Sequence, residues 1–145
     1  MDAPDDLTMA GSTTSTPNLA AVRRLYDRLA DDGALAGIEE LLSFSHEDVE
    51  MRPYTATGLG SADGGPQLLR GPVEIREFFR TSVESGFKPQ LRAKTIDVVG
   101  DSVVVRGSIR LTRPGGSFAE TNVSWTFHFR GRLVDEISWE PRAGE

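Results

Sequence analysis

The sequence predicts an α+β domain in which helices from the N-terminal half pack on one side of a curved antiparallel sheet. Two observations predict it. Helical periodicity dominates the first half of the chain and gives way, after Pro89, to alternation in four successive runs. The apolar residues of those runs share one face, as in a meander with a single buried side. Helices followed by strands, with no internal repeat, define the α+β layout within one domain.

The elements follow in order. Residues 1–16 are polar and acidic, without the basic start and apolar centre of a signal peptide, and are expected to form a disordered leader. Thr16 and Pro17 supply a helix start, a side-chain cap followed by the one residue that needs no N–H in the first turn. Leu19, Val22, Tyr26, Leu29 and Ala30 then share one helical face, and Gly33 ends it. A short second helix turns Leu35, Ile38, Leu41 and Leu42 inward. A polar strand, DVEMRPY, leads into a Gly-rich loop over residues 55–69. Gly71-Pro72 opens a third helix whose buried stripe is Ile75, Phe78, Phe79 and Val83, with Gly86 after it. Strands are predicted at 90–99, 102–113, 118–130 and 133–140, separated by Gly100-Asp101, Pro114-Gly115-Gly116 and Gly131-Arg132. The folded domain is expected to span 17–141, with 142–145 as a tail.

Composition narrows the functional classes. The chain has 145 residues, enough for one sizeable core. A net charge of -6, with arginines scattered rather than clustered, argues against nucleic acid as a partner. No apolar run is long enough to span a membrane as a helix. The absence of cysteine excludes disulfides, thiolate metal sites and a cysteine nucleophile, and fits a cytoplasmic setting.

The chemistry-bearing residues concentrate in few places. On the polar strand, Glu50, Arg52 and Tyr54 alternate with Val49, Met51 and Pro53, so three polar groups share a face ahead of an amphipathic helix. That face is either a pocket wall or a solvated strand face. As a wall, Glu50 serves as acid or base, and Arg52 orients it or fixes a carbonyl or carboxylate with its planar fork. Tyr26 is either a core ring with one hydrogen bond or a pocket hydroxyl. Phe79, Trp125 and Trp139 are core or ligand-lining aromatics, and Asn122 offers a neutral polar contact. His128 alternates with Trp125, Phe127 and Phe129 so as to face away from the core, and His46 lies in the polar run SHED. Two histidines without ligand spacing give no basis for a metal site, so no metal and no cofactor are expected. The Gly-rich loop lacks the phosphate-cradling GxxxxGK[ST] pattern and reads as a flap or rim over a pocket mouth.

The order of LYDRLADDG, DVEMRP, RGPVEIREFF and VSWTFHFRGRLV resembles the nuclear transport factor 2-like superfamily, in its SnoaL-like and ketosteroid isomerase-like branch, over nearly the whole predicted fold. The resemblance implies a cystatin-like cone with an apolar pocket and a homodimer formed through the sheet. It places Tyr26 where ketosteroid isomerases carry an oxyanion-donating tyrosine. It places Arg52 where they carry the general base, and Trp125 where they carry a second, protonated acid. Arginine is always protonated and cannot act as that base, so a standard ketosteroid isomerase is not expected. The implied function is a small-molecule pocket protein for an apolar, oxygen-bearing substrate. It is either a cofactor-independent isomerase, cyclase, dehydratase or hydrolase using Tyr26, Glu50 and Arg52, or a non-catalytic ligand-binding or protein-interaction module.

Overall fold

The computed structural model describes residues 10–53 and 68–142, and the side chains of α1 from Thr16 onward. Tyr54 and the Gly-rich loop up to residue 67 lie outside the described residues. The elements are α1 (Ala10–Asp32), α2 (Ala34–Leu42), β1 (Ser45–Arg52), β2 (Leu69–Arg70), α3 (Gly71–Glu84), β3 (Lys88–Val99), β4 (Ser102–Thr112), β5 (Phe118–Arg130) and β6 (Leu133–Pro141).

Helix α1 begins at Ala10, upstream of the expected start, and carries Pro17 about two turns inside. Proline removes one N–H and one intrahelical bond, which the long amphipathic stretch around it tolerates. Its buried stripe is Ala21, Val22, Leu25, Tyr26 and Leu29, the spacing of a helix laid on a core. Ala30, expected inside, is exposed. Gly33, at φ 93°, makes the reversal into α2 in a conformation that a side chain would strain. A bidentate pair from Arg76 to Glu39, at 2.6 and 3.1 Å, ties α3 to α2. The guanidinium lowers the Glu39 carboxyl below its ordinary range.

The six strands form one sheet in the order β2-β1-β6-β5-β4-β3. The predicted meander is present, since β3 through β6 pair antiparallel in sequence order. One pair departs from the antiparallel expectation. Strand β6 runs parallel to β1, with Met51 opposite Ile137, so the sheet is mixed. The two-residue strand β2 has no signal in the alternation, being too short to show a period.

Register sets the core. Val105 lies opposite Trp125, and Trp125 opposite Trp139; all three are buried on the inner face. Trp125 and Trp139 cross at 6.0 Å between ring centroids, 77° apart. Tyr26 of α1 sits 5.5 Å from Trp125 and edge-on to Phe127, and Phe79 of α3 backs Trp139 at 6.2 Å. An aromatic row thus joins two helices to the sheet, each pair adding about 1 kcal/mol beyond its burial.

Edge strand β3 is not straight. Ala93 pairs with Gly107 and Thr95 with Arg106, leaving Lys94 as the extra residue of a bulge. The bend brings the β3 backbone over β4. A Cβ at Gly107 would overlap the Arg92 carbonyl oxygen and come within 2.9 Å of its carbonyl carbon. Glycine at 107 is therefore required for close approach of two backbones rather than for its own dihedrals. Gly107→Ala is expected to cost about 2–3 kcal/mol, the range for overpacking a site that cannot give way. Ser108→Ala, one residue on, is expected to stay within about 0.5 kcal/mol of the parent. Urea denaturation of both variants checks the contrast.

Candidate functional site

Two spaces meet at Tyr26. The outer one is a groove of about 650 Å³ between α1 and β3, within the range of small-molecule sites. Its helical wall is Arg23, Tyr26, Asp27 and Ala30, which at i, i+3, i+4 and i+7 form one flank of α1. Its strand wall is β3 through the bulge, including Leu91, Arg92, Lys94 and Ile96. The inner space is a cleft of about 20 Å³, room for about one water. Apolar and aromatic side chains line it, among them Met51, Leu91, Trp125, Phe127 and Trp139. Tyr26, Leu29 and Leu91 line both spaces. These three side chains are the partition between groove and interior.

The chemistry of the partition follows from burial. Tyr26 is 6% exposed, and burial raises its hydroxyl pKa well above the ordinary value. The phenol therefore stays protonated at neutral pH and is available as a hydrogen-bond donor. Beside it, the indole nitrogens of Trp125 and Trp139 are buried without an acceptor among the described residues. A buried donor left unpaired costs about 1–3 kcal/mol, but the cleft surface is almost wholly apolar, so an oxygen would reach these donors only if the surrounding rings shifted. The inner cleft has no carboxylate in its lining, and Asp27 is the acidic residue on the groove wall.

The predicted site residues divide. Tyr26, Trp125 and Trp139 come together at the inner cleft. Phe79 stands behind Trp139 rather than in the lining. The structure places Glu50 and Arg52 elsewhere. Val49 and Met51 are buried, so alternation turns Glu50 and Arg52 to the opposite face of β1. There Glu50 lies 3.9 Å from Arg70, and Arg52 is exposed. Of the two readings of this face, pocket wall or solvated strand face, the exposure of Arg52 matches the solvated one. The strand buries its apolar side because that side must cover the core. Asn122 also faces away from Val123 and Trp125, lining a shallow depression with Ser108 and Arg142. Tyr54 lies outside the described residues.

The outer face around Glu50 is a polar cluster of its own. His128 Nδ1 lies 2.6 Å from Asp135 Oδ1, and Arg130 bridges Asp48 and Asp135 at 3.0 and 3.5 Å. Among the described residues no group of His, Cys, Asp and Glu side chains is arranged to hold a metal.

Sequence reasoning missed Arg23, Asp27, Arg92 and Lys94. The first two had a signal, since they stand three residues before and one after Tyr26 on the same helix. The β3 residues had a fainter one. Gly107, inside an otherwise apolar-alternating strand, marks a close backbone approach and hence a bulge opposite it.

No protein-family model matches this sequence, and no curated protein is significantly similar to it in sequence. Solved structures are similar. TerC, co-crystallised with polyporic acid, is 25% identical with a TM-score of 0.66, over 88% of this chain and 92% of that one. A SnoaL-like polyketide cyclase from Jannaschia sp. is 18% identical with a TM-score of 0.61, over 95% and 91% of the two chains. A Mycobacterium tuberculosis protein, solved with estradiol-17β-hemisuccinate, is 15% identical with a TM-score of 0.65, over 88% and 95%. The protein has the nuclear transport factor 2-like fold, in the form that it shares with SnoaL-like proteins.

The raised pKa of Tyr26 sets a pH dependence. Above about pH 10 an unfolded chain releases this proton while the folded one holds it. The unfolded state then binds fewer protons, and stability falls as pH rises. Tyr26→Phe should flatten that alkaline decline, measured as the change in Tm between pH 8 and the alkaline limb. An unchanged slope would mean that the phenol ionises freely in the folded state.

Proposed function

We propose that the protein is a small-molecule pocket protein that takes an apolar, oxygen-bearing ring compound between α1 and the inner sheet face. The observation that carries this reading is the convergence of the buried, protonated Tyr26 with two unpaired indole donors on one aromatic cleft. Such a donor set suits a ketone, quinone or phenolate oxygen, while the surrounding rings suit a flat apolar body. As the cleft stands it is too small for such a body. Entry requires Leu29, Leu91 and the Tyr26 ring to shift so that groove and cleft become one space. The ligands of the two neighbours above, polyporic acid and estradiol-17β-hemisuccinate, are oxygen-bearing ring compounds of this kind.

Proton transfer is a second reading, favoured by one observation. Asp27 stands one residue from Tyr26 on the groove wall. A carboxylate base paired with a phenolic donor is a sufficient pair for isomerisation, cyclisation or dehydration alpha to a carbonyl. Glu50 and Arg52 have no part in it, since the sheet separates them from Tyr26.

Tryptophan fluorescence reports directly, because both tryptophans of the chain line the cleft. Estradiol and polyporic acid are expected to quench it and to raise Tm. Tyr26→Phe should weaken binding by about fivefold to tenfold, the worth of one hydrogen bond, with little change in fold. Binding by Tyr26→Phe equal to the parent would remove Tyr26 from the donor set. If a bound compound is turned over, Asp27→Asn should abolish turnover while leaving binding intact. Full turnover by that variant would exclude the second reading.

A further inference from the structure

Ion pairing is distributed unevenly over this protein. Seven arginines outside the groove are matched to carboxylates: Arg24 to Glu40, Arg28 to Asp32, Arg70 to Glu50, Arg76 to Glu39, Arg80 to Glu77, Arg110 to Glu120 and Arg130 to Asp48, while Arg52, Arg106, Arg113 and Arg132 are in no ion pair among the described residues. The groove differs. Arg23, Arg92 and Lys94 line it, and none of the three is in an ion pair among the described residues. The acid on its wall, Asp27, is also in no ion pair among the described residues. The groove therefore carries a local surplus of two positive charges in a chain whose net charge is -6. Three cations on one rim repel one another, and among the described residues Asp27 is the one carboxylate in the same lining.

Their positions follow from the strand edge and the helix flank that face each other across the groove. Lys94 is the extra residue of the β3 bulge, and bulges redirect side chains where strands meet sites. Arg92 precedes it at the point where the backbone crosses Gly107. Arg23 faces them from the flank of α1 that also carries Tyr26. Arg92 and Lys94 stand two residues apart, so a straight β3 would also put them on one face, and both border the outer-face depression beside Ser108 and Asn122 as well as the groove. Below the cations lie Leu29, Leu91 and Ile96, so the rim is charged and the floor is apolar.

We propose that Arg23, Arg92 and Lys94 form an anion subsite, and that the ligand of this pocket is an acid: a ring compound bearing a carboxylate, sulfonate or acidic phenol. The apolar body goes toward Tyr26 and the tryptophans, and the anionic group stays at the groove mouth between the guanidiniums and the ammonium. Guanidinium pairs carboxylates through parallel N–H donors, and the flexible lysine adapts to anions of different length. The inference deepens the pocket reading above and rests on it.

The test uses the full chain and two probes of nearly the same shape: 1-anilinonaphthalene-8-sulfonate, which is anionic, and N-phenyl-1-naphthylamine, which is neutral. Binding is followed by quenching of the two cleft tryptophans. The sulfonate is expected to bind about tenfold more tightly than the neutral probe, and raising salt from about 0.05 to about 0.5 M should remove most of that advantage. The triple variant Arg23→Gln, Arg92→Gln, Lys94→Gln should lose about tenfold in sulfonate affinity, as expected for three exposed charge contacts, while the neutral probe binds as before. Arg106→Gln removes one charge from the outer face of β4 and should change neither. Equal affinity for the two probes in the parent, or an unaltered sulfonate affinity in the triple variant, would overturn the anion subsite and leave the pocket itself standing. Failure of both probes to quench the tryptophans would overturn the pocket reading and the subsite together.

Discussion

The candidate site depends on one close approach of two backbones. The Arg92 carbonyl occupies the space where any other residue at position 107 would put its Cβ. That contact lets β3 bend and absorb Lys94 as an extra residue. The bend turns the edge of the sheet toward α1, and the groove is the space left between them. A side chain at 107 would push β3 outward, and the wall carrying Leu91, Arg92 and Lys94 would go with it.

The aromatic row solves a different problem. Helix α1 packs mainly on β3 and α3 mainly on β1, and large rings fill the space between them. Tyr26, Trp125, Trp139 and Phe79 do so in tilted and edge-on pairs. The arrangement leaves polar edges inside: a phenol and two indole nitrogens. A core built for stability alone would use leucine or phenylalanine there, since each unpaired buried donor is a cost. Their presence beside a groove is what distinguishes this interior from ordinary packing.

Strand β1 shows how a polar face can mislead. Glu50 and Arg52 share one side and Val49 and Met51 the other, and either side could have lined a pocket. Burial decided. An apolar strand face left in water forfeits about 1.5–3 kcal/mol per large side chain, whereas Glu50 and Arg52 lose nothing by staying solvated. The polar side therefore became part of the outer sheet surface, next to the His128–Asp135 pair.

The sequence by itself determined the order of the three helices and of the meander strands, and most of the inward positions of α1, α3 and β4 to β6, while leaving Tyr26 and the two tryptophans between core and pocket lining. All of these rest on local periodicity, which side-chain direction obeys within any one element. The tertiary structure alone decided the rest. The parallel pairing of β6 with β1 joins strands that most of the chain separates. The bulge at Lys94 breaks the period that pattern reading relies on. The groove takes one wall from residues 23–30 and the other from residues 90–96, and no local pattern states which helix flank will face which strand edge. That choice belongs to packing, because only the assembled core fixes where α1 lies and how far β3 must bend to meet it.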